Sequence, residues 1–417
     1  MRAARRLLLA MLAGSLCLGG ALQAHAMQTL TLQDAIDSAL QQNPSINIAR
    51  AQEDAAVAGV TTAKAYINPE VEIGGGPTRY RRGTESNGNN YMIGLAQPLE
   101  FSGVRSARRE LAEAGVKVAE VGTDLARIDL RARVKSAFYD VLQREAVLKL
   151  VEGDRTLLKD IRERVKLRVD VGESPRYELI KADTELLAAE RDYQAALIRV
   201  AEGKAYLRGL IGPTVGDDFE LSGELPLTSS LPSLESLRER LEQSPQLAQI
   251  RAATEAADNR VRLEEALRMP GVTVKAGVDQ DPDMNSFHLG VAVPLPLWSQ
   301  RQGQIAEAAA GAREVRSILS ERELALRRDL DSSYQRYLIA RQQVSSFENG
   351  LLSQSEAVLK TAEAAYRYGE RGILEYLDAQ RTFRVVRKDY LTARYDYVNA
   401  MLEIERVLGT EILEDKP

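Results

Sequence analysis

The stretch "LQQNPSINIARAQ" (Leu40–Gln52) returns later in the chain as "LEQSPQLAQIRAA" (Leu241–Ala253), with Pro245 standing where Pro44 stood, 201 residues earlier. The match does not stop there. "INPEVEIGGG" (67–76) answers to "RMPGVTVKAG" (268–277), again 201 residues apart, and "GLAQPLEFSGVR" (94–105) to "GVAVPLPLWSQR" (290–301), now 196 apart. "VGESPRYELIKA" (171–182) answers to "YGERGILEYLDA" (368–379), 197 apart. A period near 200 residues is too long for a solenoid repeat, so the chain is read as one half-domain written twice, with a shorter hairpin loop in the second copy. The Pro/Gly/Ser-rich stretch from Gly212 to Ser233 joins the halves.

This gives five segments: a leader over 1–26, a first repeat over 27–212, a linker over 213–232, a second repeat over 233–409 and a tail over 410–417. The leader has Arg2, Arg5 and Arg6, an apolar run from Leu7 to Leu22, and Ala24-His25-Ala26 as a cleavage signal, so it reads as a secretory signal peptide. Leu16 stands where lipoprotein processing wants a small residue, which argues against Cys17 as a lipid anchor. Removal of the leader takes the only cysteine with it and leaves His288 as the one histidine. Disulfides and thiol chemistry are then excluded, and a dedicated site of soft metal ligands is not expected.

Beyond the leader no stretch approaches the ~18 apolar residues of a spanning helix. Mean hydropathy is −0.27, and 28% of residues are charged. Any membrane span must therefore be a closed β-barrel. The net charge of −5 gives no reason to invoke nucleic acid. There is no Ser-His-Asp or Cys-His constellation, no phosphate loop and no H-E-x-x-H, so no catalytic residues, cofactor or metal site are assigned and the chain is not read as an enzyme.

Each half repeats one order: helix, two strands, very long helix, return helix. In the first half the patterns predict a helix over 32–66, strands near 70–76 and 91–98, a helix over 105–169 and a return helix over 176–210. The strands alternate. Val71, Ile73, Tyr91, Ile93, Leu95, Val272, Val274, Val278, Phe287, Leu289, Val291 and Val293 fall on one face, and Glu72, Gly74, Gly94, Thr273, Lys275, His288 and Gly290 on the other. That is the pattern of a transmembrane barrel strand, and equally of a sheet half-buried in water. Four strands cannot close a barrel, since eight is the smallest usual number, so several chains would have to contribute.

The long helix would span roughly 100 Å at 1.5 Å per residue. Its apolar positions Ala107, Leu111, Ala114, Val118, Val121, Leu125, Ile128 and Ala132 step by four and three, which predicts a left-handed coiled coil. Periodicity alone leaves a structural rod and the wall of a duct equally open. The amphipathic hairpins favour the duct.

The duplicated plan, "AYRYGERGILEYLDAQRTF" (365–383) and "VPLPLWSQRQGQIAEA" (293–308) together resemble the TolC-type outer-membrane factors of tripartite efflux systems. Within that family the chain is most similar to the branch paired with heavy-metal pumps of the cobalt-zinc-cadmium type. Gly103-Val104-Arg105 departs from the glycine-lysine-arginine triplet more usual there. The resemblance implies a mainly α fold with a small β part, long coiled-coil hairpins forming a periplasmic α-barrel, and four strands per chain contributing to a trimeric 12-stranded barrel in the outer membrane of a Gram-negative bacterium. It implies a passive exit duct, as a homotrimer in outer-membrane lipid, partnered by a periplasmic adaptor protein and an inner-membrane pump of the resistance-nodulation-division class. It implies heavy-metal cations as cargo, with drug efflux or type I protein secretion as alternatives. A trimeric structural coiled coil at the surface is the reading from a different class.

The resemblance also assigns roles at the helix reversals. Glu375 and Asp378 fall at the family's gate acids, Tyr366 and Arg371 at its gate tethers, and Tyr177 and Glu178 at their helix partners. The competing reading makes Glu375 and Asp378 first-turn acids that complement the helix dipole. Gly172 and Gly369 mark the tip turns as helix C-caps. Trp298 and Phe101, at the strand-to-helix junctions, are read as membrane-interface aromatics, with core packing as the alternative.

Overall fold

A computed structural model describes residues 28–78, 88–213, 216, 219–226 and 231–412. The leader with Cys17 and His25, part of the linker, and 413–417 of the tail lie outside the described residues. The order is β1 (Gln28–Thr31), α1 (Leu32–Gln42), α2 (Pro44–Lys64), β2 (Glu70–Thr78), β3 (Gly88–Leu99), α3 (Ser102–Asp170), α4 (Arg176–Ile211) and β4 (Phe219–Ser222). The second half follows as α5 (Leu234–Leu241), α6 (Pro245–Ala266), β5 (Val272–Gln280), β6 (Asn285–Ala292), α7 (Gln302–Ser346), a π-helical segment (Phe347–Leu351), α8 (Leu352–Arg367) and α9 (Ile373–Leu408). α4 and α9 each run 36 residues.

The helix expected over 32–66 is two helices. Pro44 has no N–H to donate back, and it sits in the first turn of α2, with the Asn43 side chain accepting from Ser45 N–H as the cap. Ser244 and Pro245 open α6 in the same way. A second element not anticipated is the parallel pairing of β1 with β4, which ties the start of the first half to the connection between halves.

β2, β3, β5 and β6 form one antiparallel sheet in that order, so the two halves join through β3 and β5. Cross-strand register puts Val71, Leu95, Ala276 and Leu289 in one row, and Ile73, Ile93, Val278 and Phe287 in the next. This face is open on β2, β3 and β6, with Phe287 and Leu289 each at 71%, and half-buried along β5 except at Val278. One edge each of β2 and β6 has no strand beside it among the described residues.

Two cores hold the helices. The larger gathers Leu130, Val134 and Phe138 of α3, Leu207 of α4, Leu326 and Leu330 of α7, and Met401 and Ile404 of α9 at the level of α1 and α5. The second lies toward the helix reversals and joins both hairpins through Leu158, Ile161 and Val165 of α3 with Ile373, Tyr376 and Leu377 of α9. The coiled-coil line is only partly buried: Ala107 and Ala114 are covered, but Thr123, Leu130 and Val134 take the buried places farther along. α3 is flanked there by α2 on one side and α6 on the other, as Thr123 Oγ1 donating to Ala49 O and Asn259 Nδ2 donating to Glu110 O show, so its covered surface is wider than one seam.

The drift in repeat spacing has a structural cause. Leu130, Val134 and Val141 answer to Leu326, Leu330 and Tyr337, 196 residues on, whereas buried Leu158 answers to buried Ser355, 197 on. One extra residue lies between, and the π-helical segment Phe347–Leu351 accommodates it, with non-helical dihedrals at Gly350. The matching Gly153 sits inside the unbroken α3.

Candidate functional site

Both long helices end at a reversal built in the same way. Gly172 (φ 81°) and Gly369 (φ 74°) adopt the left-handed conformation that favours glycine. Glu173 N–H donates to Arg168 O at 2.8 Å and Glu370 N–H to Ala365 O at 2.9 Å, the six-to-one bond of a Schellman cap. The return helices α4 and α9 start within a few residues, and the two reversals share one core, with Glu178 of the first beside Gly372 of the second.

At the second reversal α9 buries Ile373, Tyr376, Leu377 and Gln380, and its opposite face leaves Glu375, Asp378 and Thr382 exposed. The two acids therefore share one open face of one helix, and the tip core decides which face that is. They are not electrically equivalent. Arg371 Nη1 donates to both Glu375 oxygens, at 2.9 and 3.0 Å, and that bond with the carboxylate charge holds the guanidinium pKa above its ordinary value. The Asp378 carboxylate makes no hydrogen bond or ion pair among the described residues. Both members of the Arg371–Glu375 pair are mostly exposed, so the pair is weak and open to exchange.

Tyr366 lies inside the tip core rather than beside Arg371. Its ring stacks on Tyr376 with centroids 5.8 Å apart, and the Arg168 guanidinium of α3 stands 5.4 Å from its centroid. The contact crosses from the first half to the second. Glu178 Oε1 lies close to Gly372, 3.8 Å from where a Cβ would stand, while Tyr177 projects into the open. Within one chain Arg371 thus bonds Glu375 and not Glu178. Arg168 and Tyr376 were missed by the sequence reading; the α9 pattern that places Tyr376 beside Leu377 was the available signal.

At the other end Trp298 is 89% exposed, with Phe101, Leu295 and Leu297 also open and Tyr66 under the Arg105 guanidinium at 4.1 Å. These residues collect where strands give way to helices, next to the exposed apolar sheet face. Tyr66 and Leu297 were not singled out from sequence, because one ends a helix pattern and the other follows two prolines. No described helix is long and apolar enough to cross a membrane. Among the described residues no three His, Cys, Asp or Glu side chains gather to hold a metal ion.

Known proteins place this arrangement. The cobalt-zinc-cadmium resistance protein CzcC of Cupriavidus metallidurans is 28% identical over 387 residues, covering 92% of this chain and 91% of that protein. The nickel-cobalt-cadmium resistance protein NccC of Alcaligenes xylosoxydans xylosoxydans is 24% identical over 301 residues, 69% of this chain and 67% of its own. The solved structure of CusC, reported for conformational changes accompanying folding and transmembrane channel formation, superposes with a TM-score of 0.76 at 19% identity, over 92% of this chain and 93% of that one. The family model for Outer membrane efflux protein matches residues 35–213 and 237–410, one stretch in each half. The chain belongs to the outer membrane efflux protein family.

Proposed function

We propose that three copies of this chain close a 12-stranded barrel in outer-membrane lipid, continued into the periplasm by a barrel of the long helices, and that the assembly passively conducts cargo outward. The observation that carries this reading is the sheet: an apolar face that runs across all four strands, open on β2, β3 and β6, and one open edge on β2 and one on β6. Left in water, such a surface and such edges are an association hazard; in lipid they must be closed. Because the four strands alternate in direction, β6 of one copy meets β2 of the next antiparallel, and closure with an even strand number follows.

Heavy-metal cations are the cargo this reading favours, since the relatives CzcC and NccC are named as metal-resistance proteins. A duct has no energy source of its own, so a periplasmic adaptor and a pump of the resistance-nodulation-division class act upstream, and no catalytic step is assigned to this chain. Glu375 and Asp378 at the tip would surround the axis in three copies, a charged ring of the kind that selects cations in channels. Tyr366 and Arg371 would hold that tip, with Glu178 and Tyr177 as partners across the hairpins, and Trp298 and Phe101 would sit at the membrane interface.

The test is single-channel recording from purified protein in a planar bilayer, with a salt gradient reading selectivity. A cation-selective pore supports the duct, and correctly assembled protein that never conducts refutes it. Deleting the gene and comparing zinc, cobalt and drug tolerance tests the cargo.

A further inference from the structure

The inward candidate face of the sheet carries a row that crosses all four strands: Glu72 on β2, Gly94 on β3, Gly277 on β5 and His288 on β6. The two middle positions have no side chain, and the row is therefore a shallow trough with an acid at one end and an imidazole at the other.

The imidazole is held in place. A Cβ added to Gly277 would stand 2.6 Å from both Cε1 and Nε2 of His288, so the ring lies over the glycine, along the trough, in space that any larger residue would take. Its Nδ1 is 2.8 Å from Asp279 Oδ2. An ionised carboxylate only accepts, so Nδ1 is the donor and the neutral ring keeps its lone pair on Nε2. The His288 side chain is 48% exposed. The second nitrogen has no hydrogen-bond partner among the described residues, and a carboxylate that orients an imidazole in this way is the outer-shell arrangement that raises the basicity of metal-binding histidines.

We propose that His288, seated by Gly277 and oriented by Asp279, is a transit site for a borderline divalent cation of the zinc and cobalt class on the barrel's inner face. Nitrogen ligands suit such ions, whereas magnesium and calcium take oxygen. One imidazole with water completing the shell binds weakly, and weak binding is what a conduit requires, because an ion must enter a site and also leave it. Glu72 closes the far end of the row, three strand spacings away, about 14 Å between backbones, and Lys275 stands on the same face two residues before Gly277. Three copies would place three such troughs around one lumen. The proposal rests on the duct reading only in calling this face the inner one.

His288 is the one histidine outside the leader, so the site can be read directly. Protein lacking residues 1–26 is labelled with ¹⁵N-histidine, assembled in lipid nanodiscs and titrated with zinc chloride to millimolar concentration, with magnesium chloride as the control. The expected result is a saturable movement of the single Nε2 resonance with zinc and none with magnesium. Asp279→Asn, which keeps the shape and removes the charge, should weaken the zinc response about tenfold, the lower end for loss of an outer-shell partner. A resonance that zinc leaves unmoved, or a zinc response equal in Asp279→Asn, overturns the proposal. Bilayer recording of the same preparation separates the two readings. Zinc binding by protein that does not conduct keeps the site and sinks the duct; a conducting protein with a silent imidazole keeps the duct and sinks the site.

Discussion

Removing one residue from each half at matching places should have opposite consequences. In an α-helix each residue adds 1.5 Å and a turn of about 100°, so deletion of Glu152 from the unbroken α3 swings everything beyond it to another face. Leu158, Ile161 and Val165, all at 4% exposure or less, leave the tip core. At about 1.5–3 kcal/mol for each large apolar side chain, the loss is about 4.5–9 kcal/mol, an upper range because the helix end can partly rewind. Deletion of Asn349 does the reverse. It removes the residue that the π-helical segment absorbs, returns the second half to the spacing of the first, and leaves Leu359, Ala362 and Tyr366 facing the same core. Its cost should stay near that of one hydrogen bond, about 1 kcal/mol.

Hydrogen exchange reads both, because it measures local opening rather than a global melt. In nanodisc-held protein, amides over 158–170 in the Glu152 deletion should exchange more than about a thousandfold faster, the lower end of that loss. Amides over 355–367 in the Asn349 deletion should change by less than about tenfold. Equal damage from the two deletions would refute the assignment of the extra residue to Phe347–Leu351, and so would a larger effect from removing Asn349.

Three further outcomes follow from the same geometry. Asp378→Asn should remove more cation selectivity in bilayer recordings than Glu375→Gln, because Arg371 already compensates Glu375, and Arg371→Ala should raise selectivity. Asp154 is held above the ordinary carboxylate pKa by burial, against the pull of Arg384 and Arg387, so the folded protein binds its proton more tightly than the unfolded chain does. Its charge therefore destabilises the fold at neutral pH, and Asp154→Asn should be stabilising there, with the gain shrinking as pH falls through the folded pKa and gone below 3.8, as urea titrations of the hairpin region at several pH values would show. Leu289→Arg should block membrane assembly, at about 2–4 kcal/mol per chain near mid-membrane, whereas His288→Arg beside it should assemble normally, as heat-modifiable mobility on gels would report.

What the residues alone revealed, and what they did not, divides along physical lines. Alternation along Val71–Ile73 and Phe287–Val291 was enough to place the large branched and aromatic strand residues on one face, because side chains in a strand have a period of two and a slip of one would reverse them all; Met92 and Ala96 fall on the other face. The α3 and α4 limits came within a few residues, since Gly172 and Pro175 punctuate the reversal. The break at Asn43 was legible in principle from an Asn-Pro pair, but the apolar pattern runs through it. β1 with β4 pairs four residues with four across nearly 200 positions, which no local pattern reports. At the tip, the positions of Glu375 and Asp378 were visible, but their inequality was not. It depends on where the flexible Arg371 side chain comes to rest.

The duplication distinguishes the two hairpins as sources of the proposed charged ring. The first half has Glu178 and Lys181 at the places of Glu375 and Asp378 in the second, 197 residues on. Lys181 stands 3.4 Å from Glu185, but Arg384 also pairs with Glu185, at 3.0 Å, so Lys181 keeps charge to set against Glu178, and the first hairpin offers an acid and a base where the second offers two acids. Both hairpins end in the same Schellman turn, on one shared core. A ring drawn from the first hairpins would be close to neutral and would not discriminate ions by charge. One drawn from the second carries an uncompensated carboxylate per chain even with every Arg371–Glu375 pair intact. If the tip selects cations, the second hairpin faces the axis, and exchanging Lys181 and Asp378 between the halves would leave the net charge unchanged while abolishing the selectivity.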